Sequence, residues 1–190
     1  VISIPVSYPL LEFDMMPIGP LMIEHRLIER MISLLREELD AINGGRDPDP
    51  DFLSEAIDFM RSYADRCHHG KEEDILFEEL KSKELPEDLR KIMDDLVHDH
   101  RLARENVSAL ERAGREYDSG RGPLEEVTDR LEFLVNLYPR HIATEDKQFF
   151  IPCMDHFTEK EQQDMLERFF EFDRDLIHKR YEAIVEFYEE

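Results

Sequence analysis

Two His-x-x-x-Glu pairs, His68 with Glu72 and His141 with Glu145, stand in this chain beside two single histidines, His25 and His100. In an α-helix, residues four apart lie on one face about a turn from each other, so each pair aims an imidazole and a carboxylate the same way. Imidazole suits iron, zinc, copper or nickel, and a carboxylate with two oxygens can bridge two ions about 3.5–4 Å apart. His69 with Glu73 repeats the spacing of His68 with Glu72. Adjacent residues diverge by about 100° around an α-helix, so one pair faces inward at the expense of the other. The apolar stripe favours His68 and Glu72, and His69 with Glu73 stays open as the alternative.

These residues need elements to bring them together. Breaker-rich stretches at Asn43–Pro50, Lys83–Pro86, Ser119–Pro123 and Asp155–Thr158 separate long segments whose apolar residues recur at spacings of three and four. The pattern predicts helices over about 20–43, 51–82, 87–118, 123–155 and 159–190, the last started by a Thr158–Glu161 capping box. Four long helices joined by short loops make an all-α, up-down-up-down four-helix bundle over 17–155, with an additional C-terminal helix over 156–190 that packs on the bundle or on a partner. Residues 1–16 read as an extended N-terminal segment.

Each bundle stripe is interrupted by ionisable residues: His25 in the first, His68 and Glu72 in the second, His100 in the third, His141 and Glu145 in the fourth. A buried His or Glu is costly unless hydrogen-bonded, paired or bound to metal. At about 1.5 Å rise per residue, and with the first helix starting at zero, all four imidazoles fall about 8–9 Å up the bundle. Both glutamates follow one turn further along, on the same side of that layer. Four imidazoles and two carboxylates in one slice of a bundle core have the composition of a two-metal site.

On these residues the chain resembles the hemerythrin-like, or His-His-Glu cation-binding, family. The resemblance is carried by Met22-Ile23-Glu24-His25-Arg26-Leu27-Ile28, by His68-His69-Gly70-Lys71-Glu72-Glu73-Asp74-Ile75-Leu76-Phe77, by Asp99-His100-Arg101-Leu102-Ala103-Arg104, and by His141-Ile142-Ala143-Thr144-Glu145 with Phe149-Phe150. It implies a non-haem di-iron centre in which His25, His68, His100 and His141 are terminal ligands and Glu72 and Glu145 bridge two iron ions, with zinc or another divalent metal as the alternative cofactor. Oxygen-carrying hemerythrins place a fifth histidine where this chain has Arg104, and an Asp at a five-residue spacing where it has Glu145 at four. Four histidines with two glutamates look more like the branch that repairs iron centres and handles nitric oxide, although no Cys-bearing N-terminal domain is visible. The resemblance implies binding or sensing of O2, NO or a reduced oxygen species. Enzymatic turnover, as iron-centre repair or nitric oxide reduction, is one alternative, and a non-catalytic metal-binding interaction module is another.

Composition narrows the partners. Lys and Arg number 24 against 46 Asp and Glu, and the formal net charge of −22 repels phosphate backbones and anionic membrane surfaces. No nucleic-acid or membrane partner is expected; a small gas or oxygen-species ligand is, with a homodimer contact open and the electron donor unspecified. Hydrophobic residues make up 41%, including 12 Phe, enough for a folded core. Cys67 and Cys153, far apart, suit a reducing compartment, which makes the cytoplasm the expected setting. His98, two residues from His100, should turn away from the core, as should Glu29; His156 and His178 read as ordinary surface residues. Pro139 removes a backbone donor two residues before His141 and should kink its helix.

Overall fold

In the computed structural model, residues 16–174 and 177–189 are described, with the side chains of 177–179 and 183 excepted. The N-terminal segment, apart from residue 16, and the His178 side chain lie outside the described residues. The architecture is all-helical. Helix α1 spans Ile18–Asn43. Helix α2 runs continuously over 50–81, as an α-helix Pro50–Phe59, a π-helix Met60–His69, a second π-helix Glu72–Phe77 and a last turn Glu78–Lys81. Helix α3 spans Glu87–Asp118. Helix α4 runs over 124–154, as Leu124–Thr144, a π-helix Glu145–Phe149 and Phe150–Met154. The C-terminal part is two helices rather than the one expected, α5 at Glu159–Phe172 and α6 at Ile177–Glu189. The break falls at Asp173, whose carboxylate is drawn into the bundle by the Lys71 ammonium.

Local chemistry sets the helix starts and stops. Asp49 caps α2 by accepting from the backbone N–H of Asp51 and Phe52, with Pro50 pre-set for the first turn. The Thr158–Glu161 capping box is formed at α5. Past α1 and α3 the chain turns at Gly45 (φ 97°) and Gly120 (φ 70°), in the left-handed region where a Cβ is penalised.

Helix α4 packs along both α1 and α3, and the Pro50–Phe59 part of α2 packs on α3. The apolar interior is two clusters rather than one. The larger includes Met31, Leu35, Phe59, Val107, Leu131 and Leu134, and the smaller includes Leu21, Leu76, Leu96, Phe149 and Phe150. Between them, on all four bundle helices, lies the ionisable layer. Helix α5 adds Met165 and Phe169 to the smaller cluster, and α6 adds Tyr181 and Val185 to the larger. The C-terminal helices thus cover the bundle, while Phe170, Phe172 and Phe187 remain exposed. Pro139 lies inside α4, where its missing N–H leaves the Val135 carbonyl without its usual helical donor. Arg36 of α1 reaches across and donates to that oxygen at 2.8 Å.

Candidate metal centre

His25, His68, Glu72, His100, His141 and Glu145 are all buried in the layer between the two apolar clusters. Four inward-facing imidazole nitrogens meet the two carboxylates. His25 Nε2 is 3.2 Å from Glu145 Oε2, and His68 Nε2 is 3.4 Å from Glu72 Oε1. His100 Nε2 is 3.4 Å from Glu72 Oε2 and 3.7 Å from Glu145 Oε1, and His141 Nε2 is 3.1 Å from Glu145 Oε1. Each carboxylate therefore touches a histidine from either half of the layer, which is the placement a bridging group needs.

The structure adds a seventh residue. His69 is as buried as His68, and its ring stacks on that of His100 at 3.9 Å between centroids. Potential ligand atoms fall into two groups, each within 4.8 Å: His25, His68, Glu72 and Glu145 in one, and His69, His100 and His141 in the other. The sequence reading treated His68 and His69 as mutually exclusive, and that premise fails here. Met60–His69 is a π-helix, whose wider turn holds more residues, so neighbours diverge by less than in an α-helix and both rings reach the interior. Glu73, the expected partner of His69 in the alternative pairing, is only partly buried and serves another histidine.

Each imidazole also has an outer carboxylate at Nδ1. His25 faces Asp146 at 2.7 Å, His68 faces Glu24 at 2.8 Å and His100 faces Glu73 at 2.7 Å. The contacts of His69 with Asp65 and of His141 with Asp99 are looser, at 3.4 and 3.7 Å. A carboxylate at Nδ1 fixes the tautomer that presents a bare Nε2 to a metal and makes that nitrogen a better donor. The carboxylates are braced in turn by cations. Arg26 pairs with Asp146, Lys71 with Glu24, Arg104 with both Asp65 and Glu73, and Arg140 with Asp99. Sequence reading missed Asp65, Glu24, Asp99 and Asp146 and gave Glu73 a different partner, although Glu24, Asp99, Glu73 and Asp146 each adjoin a core residue of the layer. The reason is that they mostly act across helices: Glu24 supports His68, and Asp146 supports His25.

Electrostatics show what the layer can hold. Burial, then the charge of Glu145 beside it, pushes the Glu72 carboxyl well above the usual carboxylate range. For Glu145 burial acts upward too, but the His141 charge and the close approach of the His100, His141 and His25 rings hold it well below that range. Burial and the neighbouring His25 and His69 push His68 well down, while burial and His100 bring His69 to about 3. His141 goes the other way, to about 9, because Glu145 and Asp99 outweigh burial. All four oxygens of Glu72 and Glu145, with His25 Nε2, are buried and have no hydrogen-bond partner. Uncompensated buried acceptors of this kind are costly, and cations coordinated by them remove the cost. The donor set, imidazole nitrogens with carboxylate oxygens, fits a pair of transition-metal ions.

The remaining candidates fall away from this layer. His98 is exposed, His156 is half-buried in a loop, and Glu29 pairs with Arg26 at the surface. Cys67 and Cys153 are buried free thiols, both pushed up by burial, so neither is a reactive thiolate. A third group of ligand-type atoms, Glu24, Cys67 and Asp173, surrounds the Lys71 ammonium, which already supplies its positive charge.

The hemerythrin HHE cation-binding domain model matches residues 16–151, and the chain belongs to that family. No curated protein and no solved structure matches it. Among the described residues, no helix is long and apolar enough to cross a membrane.

Proposed function

We propose that the chain is a non-haem di-iron protein that binds or senses a small ligand, O2, NO or a reduced oxygen species, at this layer. The observation that carries the reading is the convergence of four buried imidazoles on two carboxylates whose four oxygens have no hydrogen-bond partner, with a fifth imidazole, His69, buried beside His100 and His141. His25 and His68 would hold one ion, His69, His100 and His141 the other, and Glu72 and Glu145 would span the two. Bound iron would supply redox-active, Lewis-acidic positions for a small ligand.

The chain's own contribution is positioning and charge. Asp146, Glu24 and Glu73 hold the rings of His25, His68 and His100 in one tautomer, and the cations behind the outer carboxylates limit how much negative charge the rings receive. The ligand division is uneven, two histidines against three, so the His25–His68 side has the greater room for an added ligand. A fifth buried histidine, His69, thus stands beside the four expected.

Elemental analysis of protein made in iron-sufficient medium should give close to two irons per chain, and His100→Ala with His141→Ala should lower it clearly. Metal content unchanged in that double variant would sink the assignment. Stoichiometric optical changes on exposure of the reduced protein to O2 or NO support binding, whereas catalytic production of nitrous oxide would shift the reading to turnover.

A further inference from the structure

We propose that Asp173 is a positioning residue, a latch through which docking of α5 tightens the hold of His68 on its metal. The inference rests on the di-iron reading above and adds a device outside the family-matched region, which ends at residue 151.

The latch is a continuous chain of contacts. The His68 Nδ1 edge faces Glu24 Oε2 at 2.8 Å, and the other oxygen of Glu24 accepts from the Lys71 ammonium. Lys71 also donates to both Asp173 oxygens, at 2.7 and 2.6 Å, and the Cys67 thiol donates to Asp173 Oδ1 at 3.2 Å. Glu24 and Lys71 are buried, so water does not screen the chain as it would at the surface. Backbone geometry permits the approach, because Gly70 leaves room for the Phe172 ring, which lies 2.9 Å from where a Cβ would stand.

The other four histidines are supported differently. Their carboxylates are braced by Arg26, Arg104 and Arg140, all on bundle helices. Among the described residues, only the support of His68 is completed by a residue beyond the bundle. Losing the Asp173 charge leaves the Lys71 ammonium concentrated on Glu24, which weakens Glu24 as an acceptor for His68. It also removes a negative charge near the metal. Both effects lower the affinity on the His25–His68 side. By linkage, metal bound there favours the docked α5 by the same factor.

Two readouts test the latch without any assay of activity. In the iron(II)-loaded protein, transfer of metal to a ferrous chelator should become biphasic in Asp173→Asn, with one of the two ions released about tenfold faster, at the lower end of effects seen for residues supporting a ligand. Arg168→Ala, which removes only a surface pair with Glu79, should leave both rates unchanged. In the unaltered protein, metal loading should slow amide exchange over 159–172 by a similar factor, a measurement that needs no variant to fold. Unchanged release in Asp173→Asn, equal acceleration of both ions, or exchange in α5 indifferent to metal would overturn the latch. The metal-free protein separates this failure from that of the di-iron reading. There the His68 Nδ1–H resonance should move in Asp173→Asn while those of His25 and His100 stay, and a static His68 signal counts against the latch whatever metal the chain holds.

Discussion

Helices α2 and α4 each carry a His-x-x-x-Glu pair and both widen to π-helix at the site, whereas α1 and α3 each carry one histidine of the layer and stay α-helical throughout. The wider turn has a cost, since it strains the hydrogen-bond ladder and is rare in helices at large. Its return is directional. On α2 it turns two adjacent histidines and a glutamate into one interior, and on α4 it begins at Glu145, the residue that contacts three histidines. A helix asked for one inward ring needs no such distortion. The comparison locates the site's geometry in the backbone of two helices as much as in the side chains of four.

The largest expected effect comes from abolishing the difference. Deleting exposed Arg66 from the π segment of α2 should let that stretch close to an α-helix and carry Cys67 and its neighbours out of register. Iron should fall from about two per chain to near none, with a marked loss of thermal stability measured by circular dichroism. Next, His69→Ala should leave about one iron per chain, while His98→Ala, on the regular helix α3, should leave two. Equal iron in His69→Ala and the parent protein would return His69 to a structural role.

A smaller effect is expected in the metal-free protein. His69, brought to about 3 by burial and by His100, stays neutral in the fold at pH 5, whereas the unfolded chain binds a proton below about 6.5. Because the unfolded state then holds more protons, this group's stability is present above about pH 6.5 and is lost as pH falls toward 3. Between pH 7 and 5 the loss is about 2 kcal/mol, and His69→Asn should remove it from the pH dependence of urea unfolding. The smallest effect is set by Arg104→Ala, which removes the cation drawing on Asp65 and Glu73 together and should tighten metal binding on the three-histidine side by up to about tenfold in a competition titration.

The fold was legible because its signals are local. Stripes at spacings of three and four, the glycines past α1 and α3, and the Thr158 capping box each act within a few residues, and each marks an element that the structure contains. Six residues of the layer were legible by the same route, as polar breaks in apolar stripes that reach one height. His69 was not, because the 100° rule assumes the α-helical turn that Met60–His69 abandons. The break at Asp173 was not either: nothing near it in sequence stops a helix, and what holds it is Lys71, about a hundred residues earlier. Contacts across elements, including every outer carboxylate but Asp65, leave no periodic trace.

Pro139 and Arg36 bear on how the bundle chooses among its own near misses. Two helices lined with leucines can be paired one turn out of step at little cost in apolar contact, since the same side chains recur. Here such a slip would strip the Val135 oxygen, in a residue with no exposed surface, of the donor that Arg36 supplies. The gap left by one proline and the arginine that fills it act as a peg and hole, and they reject the misaligned pairings of α1 and α4 before any ion arrives to do so.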